Sequence, residues 1–190
     1  FAELDAPLAA IRVERPVEVE SDGRRARLVP APVAAMAFEI AFDDPAIGAQ
    51  ALDLPLAGNA VAEELADCRT FGLLAEVEQL RRLGLARGGT LENAVVVDRG
   101  RVLNPGGLRR PDEFVRHKML DAVGDLALAG APVIGRYEGA RAGHEITNLL
   151  LRALFDAPGA WSWCEAAEGT VPRVRLPLSA SASDRAAVAV

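Results

Sequence analysis

Histidine and lysine are almost missing from this chain. Two histidines, His117 and His144, and a single lysine, Lys118, are all it carries in 190 residues. Any imidazole chemistry therefore has to pass through those two positions. Cysteine is as scarce, and Cys68 and Cys164 stand too far apart to form a Cys-x-x-Cys pair. They form no metal-type pair, and the two read as reduced thiols of a cytoplasmic protein. Basic residues are outnumbered, 21 against 27 acids, for a net charge of −6. Such a balance excludes a general affinity for nucleic acid, whose phosphates need a basic face. No apolar run approaches the roughly 20 residues that span a bilayer, so no transmembrane segment is expected. Residues 1–10 carry acids where a secretory leader would be basic, and they do not start with methionine. They read as a remnant of a linker or a preceding domain.

What is present describes a globular protein: 51% of the residues are apolar and 25% charged. Ile11 to Glu20 alternates apolar and polar residues and predicts one half-buried strand, with Pro16 marking an edge or bulge. Ser21-Asp22-Gly23 is a turn, and Arg24 to Val29 is the returning hairpin strand. Ala34 to Phe42 adds a strand closed by Asp43-Asp44-Pro45, and Gln50 to Leu54 a short one. Together these predict an antiparallel meander. Asn59 is placed to cap a short helix through Ala66. Leu73 to Leu83 is amphipathic, with Leu73, Leu74, Val77, Leu80 and Leu83 on one side. The run Asn93 to Asp98 suits a buried strand, paired with Arg101 to Leu103.

Pro111 opens a helix running to about Ala129 and stopped at Gly130-Ala-Pro132. Val133 to Glu138 reads as a strand. Glu145 to Phe155 reads as a helix with Ile146, Leu149, Leu150 and Ala153 inward, and Trp161-Ser-Trp163 as cover for one edge of the core. Residues 179–190 are small and polar and read as a frayed tail. The fold class expected is α+β: a two-layer sandwich with a mainly antiparallel sheet under a pair of helices, of the β-α-α-β type.

The chemistry concentrates on Phe114-Val-Arg-His-Lys-Met-Leu-Asp-Ala-Val-Gly-Asp-Leu126. Residues four apart on a helix lie one above the other, so His117 and Asp121 share a face and Asp125 extends the stripe. On spacing alone the pair is either a surface ion pair or two of a metal's ligands. His-x-x-x-Asp is too loose a pattern to decide between them.

Several further motifs occur in one order: Cys68-Arg-Thr-Phe-Gly72, Gly88-Gly89, Asn93-Ala-Val-Val-Val-Asp98, Val102-Leu-Asn104, the His117 segment and Gly143-His144. From about Ile11 to beyond Trp163 the chain closely resembles the second domain of the zinc-dependent UDP-3-O-acyl-N-acetylglucosamine deacetylases of lipid A biosynthesis. The resemblance implies a C-terminal catalytic α+β domain over residues 11–178 and a Zn2+ cofactor. It implies that His117 and Asp121 are zinc ligands and that Asp125 orients His144. His144 would be the general acid or oxyanion stabiliser, working as imidazolium, and Thr70 would hydrogen-bond the developing oxyanion. Phe71 would lie against the sugar and Lys118 would contact the nucleotide-sugar. Leu74, Val77, Gly89, Thr90 and Val96 fall where that family builds an apolar passage for the acyl chain. The implied substrate is a UDP-3-O-acyl-glucosamine.

The chain departs from that pattern in one respect. The family's third zinc ligand is a first-domain histidine preceded by a water-activating glutamate, and no Glu-His pair occurs here. Two expectations follow. Either the chain is the C-terminal half of a deacetylase that needs its first domain, and is inactive alone, or it is a non-catalytic module that binds a nucleotide-sugar or acyl chain.

Overall fold

A computed structural model describes residues 7–172, so the tail expected from residue 179 lies outside the described residues. The first strand, β1 (Ala9–Val13), does not continue through Pro16. β2 (Val17–Ser21) starts afresh and pairs antiparallel with β3 (Arg24–Val29) around the expected turn. Proline offers no N–H to a ladder, and the chain uses that break to change sheets. β4 (Ala35–Ala41) and β5 (Ala49–Pro55) form the next antiparallel pair. The expected Val133–Glu138 strand is likewise cut in two, into β9 (Val133–Ile134) and β10 (Arg136–Ala140). At Gly135 between them, an added Cβ would come within 2.7 Å of Val13 Cγ2 and 3.1 Å of the Val29 carbonyl. Only glycine allows the crossing there.

The meander expectation is corrected by what this crossing does. The main sheet has the order β2-β3-β10-β4-β5, with β10 inserted between β3 and β4, antiparallel to the first and parallel to the second. Three of its four pairings remain antiparallel. Strand neighbours this distant in sequence are chosen by packing, which local alternation does not encode. β11 (Trp161–Glu165) pairs with β1, and β1 with β9, in a separate sheet of order β11-β1-β9. Trp161 packs on the core, whereas Trp163 is 61% exposed.

One face of the main sheet carries the two long helices, α2 (Glu113–Leu126) over β4 and β5, and α3 (His144–Asp156) over β2 and β3. The α+β sandwich is as expected. α2 buries Phe114, Val115, Met119 and Ala122, while Leu128 beyond its end is 69% exposed. On α3, Ile146, Leu150 and Leu154 are buried and Leu149 is exposed. Each fully buried side chain of this size contributes roughly 1.5–3 kcal/mol. A short 3-10 turn, Ala127–Ala129, ends at Gly130 with φ 80°, as the glycine stop predicts.

The third sheet is β6 (Thr70–Leu73), β7 (Ala94–Asp98) and β8 (Arg101–Val102). β6 and β7 run parallel and are joined through α1 (Leu74–Arg82), a β-α-β crossing. The expected Leu73–Leu83 stripe does not become core. No α1 residue is fully buried, and Leu80 and Leu83 are 40% and 68% exposed. A helix lying over only three short strands has little apolar surface to cover it. Before β6, Val61–Leu65 form a π-helical turn whose start has no side-chain cap, so Asn59 does not act as expected.

Candidate functional site

Two elements meet at one cavity of about 200 Å³. α2 brings His117, Lys118 and Asp121, and β6 brings Thr70, Phe71, Gly72 and Leu73. Phe42, Ile47 and Glu76 complete its wall, none of which the motifs had singled out. Phe71 stands at its centre: its ring meets Phe42 and Phe114 edge-on, with centroids 5.4 and 4.9 Å away, and His117 at 6.4 Å. A roomier apolar cavity of about 330 Å³ beside Val123, Leu126 and Tyr137 has no charged residue in its lining and offers no comparable chemistry.

His117 and Asp121 face each other across one helical turn, with Nδ1 3.6 Å from Oδ2. Lys118 Nζ donates to the same Oδ2 at 2.8 Å. Burial holds the His117 ring below the ordinary histidine range; Asp121 pulls it back up and Lys118 pushes it further down. The result favours a neutral imidazole, whose lone pair is what a metal ligand needs. A nitrogen and a carboxylate oxygen are the donor types that suit zinc. Among the described residues no group of three or more His, Cys, Asp or Glu is arranged to hold a metal. The pair thus fits zinc in kind and is one protein ligand short of a catalytic set.

One turn further along α2, Asp125 accepts from His144 Nδ1, at 2.8 and 3.0 Å to its two oxygens. His144 is the first residue of α3, its side chain 69% exposed, while Asp125 is mostly buried. With Nδ1–H engaged, Nε2 is the nitrogen left for chemistry. The two residues share an open groove of about 480 Å³ with Glu145, Asn148 and Arg152, separate from the His117 cavity. Leu74, Val77, Gly89, Thr90 and Val96 do not line either depression. They belong to the β6-α1-β7 unit: Leu74 and Val77 are half-buried, Val96 is buried on β7, and Gly89 and Thr90 lie in the turn after α1.

The residues missed in the sequence are Arg69 and Glu113. Glu113, in the first turn of α2, is fully buried and paired with Arg69 Nε at 2.9 Å. Burial opposes its charge, but hydrogen bonds from Arg69 and the Arg109 backbone outweigh that and hold it below the usual carboxylate range. The available signal was its place in the stripe Glu113, His117, Asp121, Asp125, at steps of four.

A family model described as UDP-3-O-acyl N-acetylglycosamine deacetylase (LpxC) matches residues 1–156. A Phenylobacterium zucineum protein named UDP-3-O-acyl-N-acetylglucosamine deacetylase is 60% identical over 159 residues, 84% of this chain and 54% of that protein. A protein of the same name from Acidithiobacillus ferrooxidans is 45% identical over 172 residues, 90% of this chain and 57% of its own length. One from Myxococcus xanthus is 43% identical over 159 residues, covering 84% and 51%. The chain spans about half the length of these curated relatives. With His117, Asp121, Thr70 and Phe71 gathered on one cavity, and Asp125 bonded to His144 beside it, the chain belongs to the UDP-3-O-acyl-N-acetylglucosamine deacetylase family.

Proposed function

We propose that this chain is the C-terminal half of a zinc-dependent amidohydrolase that removes the N-acetyl group from UDP-3-O-(3-hydroxyacyl)-N-acetylglucosamine. The observation that carries this is the convergence of Thr70, Phe71, His117, Lys118 and Asp121 on one cavity. His117 and Asp121 would hold the zinc together with a histidine from a first domain, which would also bring a glutamate base. When bound, the ion supplies Lewis acidity and an acidified water. Thr70, on the cavity wall, is assigned to donate its hydroxyl to the oxygen that gains charge as the amide is attacked. Asp125 holds the His144 ring by Nδ1, so that Nε2 can pass a proton to the departing amine. Phe71 gives the sugar an apolar wall, and Lys118 turns toward polar oxygens of the nucleotide-sugar. Leu74, Val77, Gly89, Thr90 and Val96 are assigned to the acyl-chain passage on the β6-α1-β7 unit. The water-soluble nucleotide-sugar and the two free thiols, Cys68 and Cys164, support a cytoplasmic setting.

A second reading is favoured by Lys118. Its ammonium is closer to Asp121 than His117 is, 2.8 against 3.6 Å, and occupies the oxygen a metal would take. A chain left in that state is a binding module for a nucleotide-sugar or acyl chain. Zinc content and deacetylase activity, measured alone and after mixing with a Glu-His-bearing first domain, separate the two. Tight zinc binding and activity on mixing, both lost in His117→Ala, are expected. UDP-sugar binding with neither zinc nor activity in any combination would leave only the binding module.

A further inference from the structure

The two elements that build the cavity are joined from inside by Arg69 and Glu113. Glu113 Oε1 accepts from both the backbone N–H and Nε of Arg69, each at 2.9 Å. Oε2 accepts from Arg69 Nη2 at 3.0 Å and from the Arg109 backbone N–H at 2.7 Å. Arg69 Nη2 also donates to the Gly107 carbonyl at 2.8 Å, and Nη1 to that of Leu91 at 3.5 Å. The carboxylate stands in the first turn of α2, four residues before His117 and eight before Asp121, on their stripe. The guanidinium belongs to the residue directly before Thr70, where β6 begins.

A buried ion pair is a poor device for stability alone, because desolvation cancels most of the attraction and a well-packed apolar pair does as well. What four donors on one carboxylate add is direction, since a forked guanidinium and two fixed N–H groups admit one arrangement. The apolar contact of Phe71 with Phe114 lacks that constraint.

We propose that Arg69 and Glu113 are positioning residues that hold Thr70 and Phe71 in fixed register with His117 and Asp121. Their effect on turnover rests on the reading of this cavity as the deacetylation site. A misplacement of about 1 Å there can cost on the order of 10²-fold in rate.

Two measurements test the proposal on Glu113→Gln, with Arg69→Lys as the milder variant should the first not fold. Amide hydrogen exchange on the chain should quicken by about tenfold at residues 70–73 while the main sheet keeps its protection. Unchanged exchange at 70–73, or equal acceleration throughout, would reduce the pair to a structural one and overturn the proposal. In the enzyme assembled with its first domain, Glu113→Gln should lower kcat on the order of 10²-fold. That loss should shrink at least several-fold in a Thr70→Ala background, because the clamp would then position Phe71 alone. Losses that multiply independently would overturn it. If the unsubstituted assembly shows no deacetylation, the proposed function fails while the exchange result still decides the clamp.

Discussion

His117 and His144 each face an aspartate of the same helix, on different terms. His117 is mostly buried and too far from Asp121 for a hydrogen bond, so its ring nitrogens are kept for another partner. His144 is exposed and depends on Asp125 for its orientation. On the proposed function, Asp125→Asn should therefore lower turnover of the assembled enzyme by about 10–100-fold. The same change should cost no more than about 1 kcal/mol of stability, since the pair is half in solvent. Steady-state kinetics and urea unfolding of one variant check both halves. Tyr137 is the opposite case, a phenol 1% exposed whose hydroxyl is bonded to Thr147 at 2.9 Å. Burial raises its pKa from 10.0 to about 12. The unfolded phenol ionises first, so stability should fall as pH rises from about 10 to 12. Tyr137→Phe should flatten that fall, and a series of urea midpoints across the range would detect a slope left unaltered.

At the scale of elements, the site depends on places where the chain gives up a regular ladder. Pro16 and Gly135 each pass the backbone from one sheet to another, and Gly139 sits on β10 between β3 and β4. A Cβ at 139 would meet Phe38 Cε2 and Tyr137 Cε1 at 2.8 Å, inside a stacked ring pair with centroids 6.1 Å apart. Gly139→Ala should cost about 1–3 kcal/mol through overpacking. A shift of the urea midpoint smaller than its error would mean that the rings yield freely. The helices α2 and α3 lie on the two halves of this sheet, over β4 and β5 and over β2 and β3.

Among the described residues, the outer side of the helix pair carries exposed apolar side chains. Leu128 and Leu149 stand exposed at 69% and 41% on the outer side of the helix pair, beside His144 in its open groove. Apolar surface of this kind seldom stays bare. The isolated chain should self-associate at moderate concentration, and light scattering that reports a clean monomer would count against this. Adding a first domain that covers the helices should disperse the oligomer.

The sequence by itself determined the elements and the chemistry they carry. The 3.6 and 2 periodicities located β3, β5 and the two long helices closely but missed the breaks at Pro16 and Gly135 and the strand β6, and the four-residue steps from His117 to Asp125 put the polar stripe on one helix. Ordered motifs identified the family, later borne out by relatives up to 60% identical. All of these are local properties, written in neighbouring residues. Tertiary structure alone decided the insertion of β10 between β3 and β4, the exposure of α1 and Leu149, and the burial of Glu113 against Arg69. Those outcomes rest on which distant surfaces meet, and a charge reads as solvent-facing until a partner 44 positions away encloses it.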